Sequence, residues 1–405
     1  MQNSHIFSQI LQKIDWNHFS HLVEKHKGDA RSKGLSTRSI FTTMIFAQIS
    51  GADSLREICQ GMAMQGGNLA HMGISKLPKV SSLSYANSKR PWEIFRDMFE
   101  YMVEVYQKSL NLNSKPGNYK GKLFSLDSTV IDLCLSIFDW AKFRARKGAV
   151  KIHTLLDHDG LIPVFADVTT GKVHDVNPLR SLVRNTSKLP ENSVVAMDRA
   201  YLDYELYGEM TDKKIWFVTR LKTNALYEVI EMREVPENRN IKSDEIIRLT
   251  SPTGLKCTCQ LRRVVVWDEV NQKELSLLTN HLGFGASTVS GIYKKRWEVE
   301  LFFKQIKQNL KIKSFVGTSE NAVKIQIYSA LCSILLTRYL KSISDSKRLV
   351  CKQKSFSFSN MIMMLRISLF RYANLDSWLE NPFKAPPKPQ IFSLQENLVL
   401  DSIKT

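Results

Sequence analysis

The strongest constraint on the fold is a change in the spacing of apolar residues near residue 120. Up to residue 115, apolar residues recur every three or four positions, as in "RSIFTTMIFAQIS" and "PWEIFRDMFEYMVEVYQKSL". This spacing is typical of helices. After the polar, turn-rich linker "NLNSKPGNYKGK" at 111–122, the spacing becomes that of strands. The chain must therefore combine a helical N-terminal part with a sheet.

Five strand-like segments follow the linker: "KLFSLDST", "AVKIHTLLD", "LIPVFADVT", "SVVAMD" and "KIWFVTRL". A tight turn at 158–160 joins the second and third segments, which predicts a hairpin. Helical segments then alternate with strands, since "VNPLRSLV" follows Asp175 and "YLDYELYGEM" precedes the fifth strand. Three antiparallel strands followed by βαβ units predict a mixed α/β sheet covered by helices.

The charge balance points to a polyanion as partner. The chain has 57 Lys and Arg against 39 Asp and Glu, a net charge of +18. Many basic proteins bind no polyanion, so charge alone leaves that alternative open. The N-terminus lacks a signal-peptide pattern, and the apolar run at 325–337 is too short to span a bilayer. We therefore expect no membrane partner and a cytoplasmic, nucleoid-associated protein.

Within the helical part, "KLPKVSSLSYANSKRPW" resembles a helix-turn-helix recognition element. We expect Ser81 or Ser82 to cap this helix, and Ser36 and Asp53 to cap others. The helix would present Ser84, Tyr85, Asn87, Lys89 and Arg90. An ordinary short helix before a proline is the alternative.

The segment "YKKRWEVELFFKQIK" at 293–307 carries polar residues inside an apolar helix pattern. At about 100° per residue, Tyr293, Glu300 and Lys307 fall within about 60° of Arg296, so the four form one stripe. An apolar face borders this stripe, formed by Val299, Phe302, Phe303, Ile306 and Leu310. Taken alone, Arg296 and Glu300 are also compatible with an ordinary i, i+4 surface ion pair.

Two aspartates strengthen the case for a site. Asp127 follows the apolar run "LFSL", and Asp198 ends the apolar run "SVVAM". Aspartate has low β propensity and is costly to bury unpaired, so its placement in two predicted central strands indicates a shared cation. Converging with Glu300, these carboxylates would suit two Mg²⁺ ions that clamp a phosphodiester. A cap or turn role remains the alternative for each aspartate.

The pattern Tyr293-x2-Arg296-x3-Glu300-x6-Lys307 resembles the YREK signature of IS4-type insertion sequence transposases. "LDSTVIDL" and "MDRAYLDY" are similar to the segments around the family's two aspartates, and the N-terminal hundred residues resemble a DUF4372-type domain. One departure is Ala200, where the second motif usually has glycine.

The resemblance implies a ribonuclease H-like catalytic core with a DDE triad. Asp127, Asp198 and Glu300 would be the catalytic and metal-binding residues, with two Mg²⁺ ions for which Mn²⁺ substitutes. The other three residues of the stripe, Tyr293, Arg296 and Lys307, would contact DNA phosphates. The resemblance also implies double-stranded DNA with terminal inverted repeats, a target DNA, a hairpin intermediate and a homodimeric synaptic complex.

We predict cut-and-paste DNA transposition. A ribonuclease H-fold nuclease without strand transfer and a domesticated DNA-binding regulator are the alternatives. The predicted regions are a helical DNA-binding domain at 1–115, two parts of the catalytic core at 116–224 and 285–345, a β-rich insertion at 225–284, and a C-terminal helical region with a tail at 346–405.

Overall fold

The computed structural model describes residues 4–383, apart from 31, 33, 111–120, 145–146, 186–187, 236, 238 and 311–314. Most of the predicted linker at 111–122 and of the tail "NPFKAPPKPQ" at 381–390 thus lies outside the described residues. The domain boundaries stay a prediction.

In the described part of the N-terminal region there are six α-helices, as its apolar spacing predicts. They are α1 (Ile6–Leu11), α2 (Trp16–Lys25), α3 (Thr37–Ser50), α4 (Leu55–Ala63), α5 (Val80–Lys89) and α6 (Glu93–Ser109). The apolar side of α6 is buried, while α3 is buried along almost its whole length. The hydrophobic core of this part is therefore built around α3.

Among the described residues, ten strands form one sheet. They are β1 (Leu123–Leu133), β2 (Lys142–Arg144), β3 (Lys147–Asp157), β4 (Ile162–Thr170), β5 (Val194–Met197), β6 (Trp216–Arg220), β7 (Tyr227–Met232), β8 (Ile241–Leu249), β9 (Leu261–Asp268) and β10 (Lys273–Thr279). The order is β2-β3-β1-β5-β6-β10-β9-β8-β7, and β4 pairs with β3.

The first half of the sheet is ribonuclease H-like, which confirms the predicted fold class. β1, β3 and β4 are antiparallel, and β5 and β6 run parallel to β1. All four residues of β5 are buried, as expected for a central parallel strand. All five predicted strand segments are present, so the predicted meander followed by βαβ units is confirmed.

The strands of the predicted β-rich insertion extend this sheet. β10 pairs antiparallel with β6, and β9, β8 and β7 follow outward in an antiparallel ladder. The segment between β6 and β10 therefore shares the hydrogen-bonded sheet of the core. Sequence periodicity does not show this, because it identifies strands but not their partners.

Seven further α-helices of the described ranges cover the sheet or join it to the N-terminal part. They are α7 (Val176–Asn185), α8 (Tyr204–Asp212), α9 (Ala286–Lys295), α10 (Trp297–Asn309), α11 (Glu320–Val350), α12 (Phe358–Ser368) and α13 (Leu375–Glu380). The long α11 contacts α3, α5 and α6 as well as β4, so the N-terminal helices and the sheet share one core. Within the described ranges, no helix combines the length and the apolar character that a membrane crossing needs.

The predicted helix at 293–307 is two helices. α9 ends at Lys295 and α10 begins at Trp297, with Arg296 at the junction. The predicted apolar face of Val299, Phe302, Phe303, Ile306 and Leu310 is buried, as expected. Trp297, the first residue of α10, does not pack in the core: it is 57% exposed.

Some predictions for the N-terminal helices are also wrong. Ser36 caps α3 as expected, but Ser54 rather than Asp53 caps α4. The backbone N–H of Asp53 instead donates to Glu57, which with the Ser54 cap satisfies the start of this helix.

The recognition-element prediction for α5 is only partly compatible with the structure. The helix begins at Val80 without a side-chain cap from a serine. Ser84, Tyr85 and Lys89 are exposed, but Asn87 is fully buried. Arg90 donates to the carbonyl oxygens of Gly28 and Leu35, so it ties α5 to the preceding helices instead of being presented to a ligand.

Candidate active site

The two predicted aspartates lie side by side in the centre of the sheet. In the parallel register of β1 and β5, Leu126 pairs with Met197. The residue after each of these two is an aspartate: Asp127 continues β1, and Asp198 directly follows the end of β5. Neighbouring strands are about 4.8 Å apart, so this register brings the two carboxyl groups together. Asp198 is the N-cap residue of a short 3-10 turn, Arg199–Tyr201; its backbone is extended and its side chain makes no cap hydrogen bond.

Glu300 approaches the same strand from α10. This helix packs against β1, and the buried side chains of Phe303 and Ile306 face Thr129 of that strand. Glu300, one turn before Phe303 and Lys304, stays partly exposed beside Asp127. An open cleft borders this pair, and its lining includes Ser128, Thr129, Lys304 and Lys307.

Arg296 joins the two carboxylates. Its Nη1 donates to Oδ2 of Asp127 at 3.0 Å, and its Nη2 donates to Oε1 of Glu300. The side chains of Arg296 and Asp127 are only 12% and 18% exposed. The i, i+4 pair with Glu300 therefore exists, but the same guanidinium also reaches across 169 residues of sequence to Asp127. An ordinary surface pair would not do this.

The environment of Asp127 opposes its ionisation. Burial raises its pKa to about 6, and the negative charges of Asp198 and Glu300 act in the same direction. A hydrogen bond from the Ser128 backbone N–H at 2.8 Å and the Arg296 charge lower the pKa, but they do not cancel the effect of burial. Excess negative charge at this site is only partly neutralised by the protein itself.

The remaining stripe residues lie along the same helices. Tyr293 is on α9, and the guanidinium of Arg296 lies 5.7 Å from its ring centroid. Burial raises the pKa of Tyr293, and the charge of Asp198 raises it further, while Arg296 lowers it. Lys307, at the other end of the stripe, donates to the carbonyl oxygen of Val130 at 3.0 Å. The stripe thus follows β1 from the aspartates toward Val130.

The donor set suits a hard divalent cation held by pairs of carboxylates. Among the residues that the structure describes, no three His, Cys, Asp or Glu side chains lie close enough to hold one ion together. Mg²⁺ commonly takes one or two carboxylates and completes its shell with water and phosphate oxygens. Three carboxylates and one guanidinium also leave two excess negative charges, which add to the effect of burial on the pKa of Asp127 and which a divalent cation would balance.

Comparison with known families assigns two regions of the chain. Residues 118–336 match the transposase DDE domain, and residues 2–75 match a domain of unknown function, DUF4372. The first match covers more than half of the 405 residues.

The chain belongs to the transposase DDE-domain family.

Three curated relatives agree with this assignment. A protein of Sinorhizobium fredii named as transposase y4zB is 29% identical over 310 residues, which cover 75% of this chain and 84% of the relative. The relative named for element IS5377 of Geobacillus stearothermophilus is 27% identical over 62% of this chain and 66% of its own length. The relative named for element IS4SA of Synechocystis is 26% identical, over 64% and 71% respectively.

The transposase is therefore an enzyme of DNA transposition that depends on a divalent metal for DNA cleavage and strand transfer. The predicted resemblance is confirmed for the DDE domain and for the N-terminal DUF4372 domain, and the IS4SA relative is consistent with the IS4 type. The roles of the individual site residues and the four-residue signature stay predictions.

The departure at Ala200 does not strain the backbone of the transposase. Ala200 lies in the 3-10 turn Arg199–Tyr201, and it is not among the described non-glycine residues with positive φ. Alanine is therefore compatible with the conformation here. Only a positive φ at this position would favour glycine over alanine.

A polar network beneath Asp127 was missed by sequence reasoning. Asp175, expected to cap α7, accepts hydrogen bonds from the hydroxyl of Ser128 at 2.8 Å and from Nζ of Lys151 at 3.1 Å. These contacts join the start of α7 to β1 and β3. The only sequence signal was an aspartate before a helix, which equally fits an ordinary cap.

Proposed function

We propose that the transposase moves an insertion sequence by a cut-and-paste route, with Asp127, Asp198 and Glu300 as its catalytic and metal-binding triad. The observation that carries the proposal is the position of three carboxylates around the end of one strand pair: Asp127 and Asp198 each follow a residue of the last printed pair of β1 and β5, and Glu300 lies on α10, which packs against β1. Burial of Asp127 beside the charges of Asp198 and Glu300 favours a cation at the site, and the net charge of +18 favours a polyanionic substrate.

Two Mg²⁺ ions, for which Mn²⁺ substitutes, are the proposed cofactor. When bound, such ions activate the attacking oxygen and stabilise the leaving oxygen of an in-line displacement. Asp127, Asp198 and Glu300 would hold the ions. Burial and the two neighbouring negative charges raise the pKa of Asp127, and a bound cation would offset both effects.

Tyr293, Arg296 and Lys307 are the proposed contacts to DNA at the element's end. The Arg296 guanidinium donates one charge-assisted bond to Asp127 and one to Glu300, and a phosphate would offer two oxygens to the same pair of donors. Lys307 lines the cleft together with Asp127 and Glu300 and adds a point charge. Two cations on one stripe would align the backbone of the scissile strand with the carboxylates.

The proposed reaction begins with hydrolysis at the element's end and continues with attack of the freed 3′-hydroxyl, either on the opposite strand to give a hairpin or on target DNA. The proposed partners are double-stranded DNA with terminal inverted repeats, target DNA and a second copy of this chain in a synaptic complex. The N-terminal helices would bind DNA, and the protein would work on the bacterial nucleoid in the cytoplasm.

The test uses purified protein, Mg²⁺ and DNA that carries the inverted repeats flanking the coding sequence. We expect nicking, excision and joining of the ends to a second DNA. Cleavage without joined product would instead identify a nuclease. Specific binding without any metal-dependent cleavage would identify a regulator.

A second test addresses the triad. We expect Glu300→Gln to abolish cleavage and to leave binding of end DNA at low salt within about twofold, because the change removes one metal-binding charge and no phosphate contact. Glu320→Gln is the matched control, since Glu320 is a partly exposed glutamate at the start of α11. Normal cleavage by the Glu300 variant would show that the triad is assigned wrongly.

A further inference from the structure

Three polar side chains form a continuous link between β1 and α10. The hydroxyl of Ser125 lies 2.7 Å from Nε2 of His158, and Nδ1 of His158 lies 3.1 Å from Oε2 of Glu298. His158 belongs to the tight turn between β3 and β4, and its side chain is only 9% exposed. With its proton on Nδ1, the imidazole donates to Glu298 and accepts from Ser125, so both nitrogens are satisfied.

Each end of this link lies two residues from a carboxylate of the proposed triad. Ser125 and Asp127 are two apart on β1, where side chains two apart face the same side of the sheet. Glu298 and Glu300 are both in the first turn of α10, about 200° apart around the helix. The link therefore holds the helix turn that carries Glu300 against the strand that carries Asp127.

That helix turn lacks the usual local restraint. α10 begins directly after the junction at Arg296, and no side chain caps its N-terminus. Burial of Val299 and Phe302 fixes the depth of the helix, but apolar contacts have little directional preference. The hydrogen bonds of His158 also fix the orientation of α10 relative to β1, because hydrogen bonds require specific distances and angles.

The order serine, imidazole and carboxylate also matches that of a hydrolase triad. Burial excludes this role here. Ser125 has no exposed surface, and its strand is paired on both sides, with β3 and with β5. A substrate cannot reach its hydroxyl, so the link is a device that positions other groups.

We propose that His158 is a positioning residue that sets the separation of Glu300 and Asp127 by coupling Glu298 of α10 to Ser125 of β1. This inference rests on the proposed triad. His158 is not one of the proposed metal-binding or DNA-binding residues, so its role in metal binding would be indirect. Loss of outer contacts of this kind typically reduces metal affinity or activity by about 10- to 100-fold.

The test measures Mn²⁺ binding to the intact protein by calorimetry, without DNA, together with the Mn²⁺ concentration that gives half-maximal cleavage. We expect H158A to raise both the dissociation constant for Mn²⁺ and the Mn²⁺ concentration for half-maximal cleavage about 10-fold. We also expect faster amide hydrogen exchange in residues 297–301. E298A provides a second route to the same effect, and Glu298 is 40% exposed, so this variant is expected to fold.

A matched control is available in the N-terminal helices. His26 pairs with Asp97 through Nε2 at 2.8 Å, and it is also largely buried. We expect H26A to lower the melting temperature as much as H158A does, but to leave the Mn²⁺ dependence unchanged. In the doubly substituted H158A/E298A protein, the Mn²⁺ concentration for half-maximal cleavage should equal that of H158A alone, because the same link is broken in both proteins.

The inference is overturned if H158A and E298A lower stability while their Mn²⁺ requirement stays within twofold of the unsubstituted protein. Additive effects in the double variant would also overturn it. The proposed triad is tested separately by Asp127→Asn and Glu300→Gln. If those two variants bind Mn²⁺ normally, the triad itself is wrong; if they lose binding while H158A keeps it, only the positioning role fails.

Discussion

Replacing Asp127 with asparagine is expected to stabilise the metal-free transposase while it removes activity. The carboxyl of Asp127 is 82% buried next to two other carboxylates, and burial is the main reason that its pKa rises to about 6. An unfolded aspartate has a pKa near 3.8. Keeping this group ionised in the folded protein therefore costs stability, which asparagine, uncharged and nearly the same size, does not require.

The magnitude follows from proton linkage. A carboxyl with a folded pKa above its unfolded pKa contributes most stability when it is protonated, and that contribution is lost as the pH rises through the folded pKa. For pKa values near 3.8 and 6, the cost of ionisation is about 3 kcal/mol at pH 7 and about 0.5 kcal/mol at pH 4. These figures already contain the favourable contribution of Arg296.

The assay is urea unfolding in EDTA at pH 7 and pH 4. We expect Asp127→Asn to be more stable than the unsubstituted protein by up to about 3 kcal/mol at pH 7, and nearly equal at pH 4. Asp132→Asn, an exposed aspartate on the same strand, is the control and should change stability by less than about 0.5 kcal/mol. Added Mg²⁺ should stabilise only proteins that keep Asp127. Equal or lower stability of the Asp127 variant at pH 7 would refute the reasoning.

Two other predictions concern charges away from the site. Burial works against ionised Asp97, yet hydrogen bonds from three basic neighbours lower its pKa to about 2. Asp97→Asn should cost about 2 kcal/mol above pH 4, and this loss should fade as the pH falls toward 2, as urea midpoints at pH 7 and 2.5 would show. Arg262→Ala should cost about 3–5 kcal/mol by calorimetry, because it leaves the buried carboxylate of Asp244 without its guanidinium partner; a loss below 1 kcal/mol would contradict this.

The sequence predicted the elements of the fold well where the signal is local. Strand and helix spacings depend on residues a few positions apart, so β1, β3, β4, β5 and β6 were all identified. The buried face of α10 followed from the same spacing. The break at Arg296 was missed, because the residues on both sides have good helix propensity and a junction between two packed helices leaves no local mark.

The candidate site was predicted from an inconsistency in the sequence. Aspartates in strand-like apolar runs are costly unless a partner offsets their burial. This argument selected Asp127 and Asp198, which directly follow the paired residues Leu126 of β1 and Met197 of β5. The contacts of His158 with Ser125 and Glu298 were not predictable from the sequence. Each of these residues has an ordinary local context, and only the tertiary structure brings them together.

The sequence by itself thus determined which segments become strands and helices, which faces are apolar, and which carboxylates are too costly to bury without a purpose. Tertiary structure decided which strands pair, that the segment between β6 and β10 continues the sheet, and that Arg296 bridges Asp127 and Glu300 across 169 residues. The physical reason is that local spacing records burial, whereas pairing partners are set by the register and packing of segments far apart in the chain.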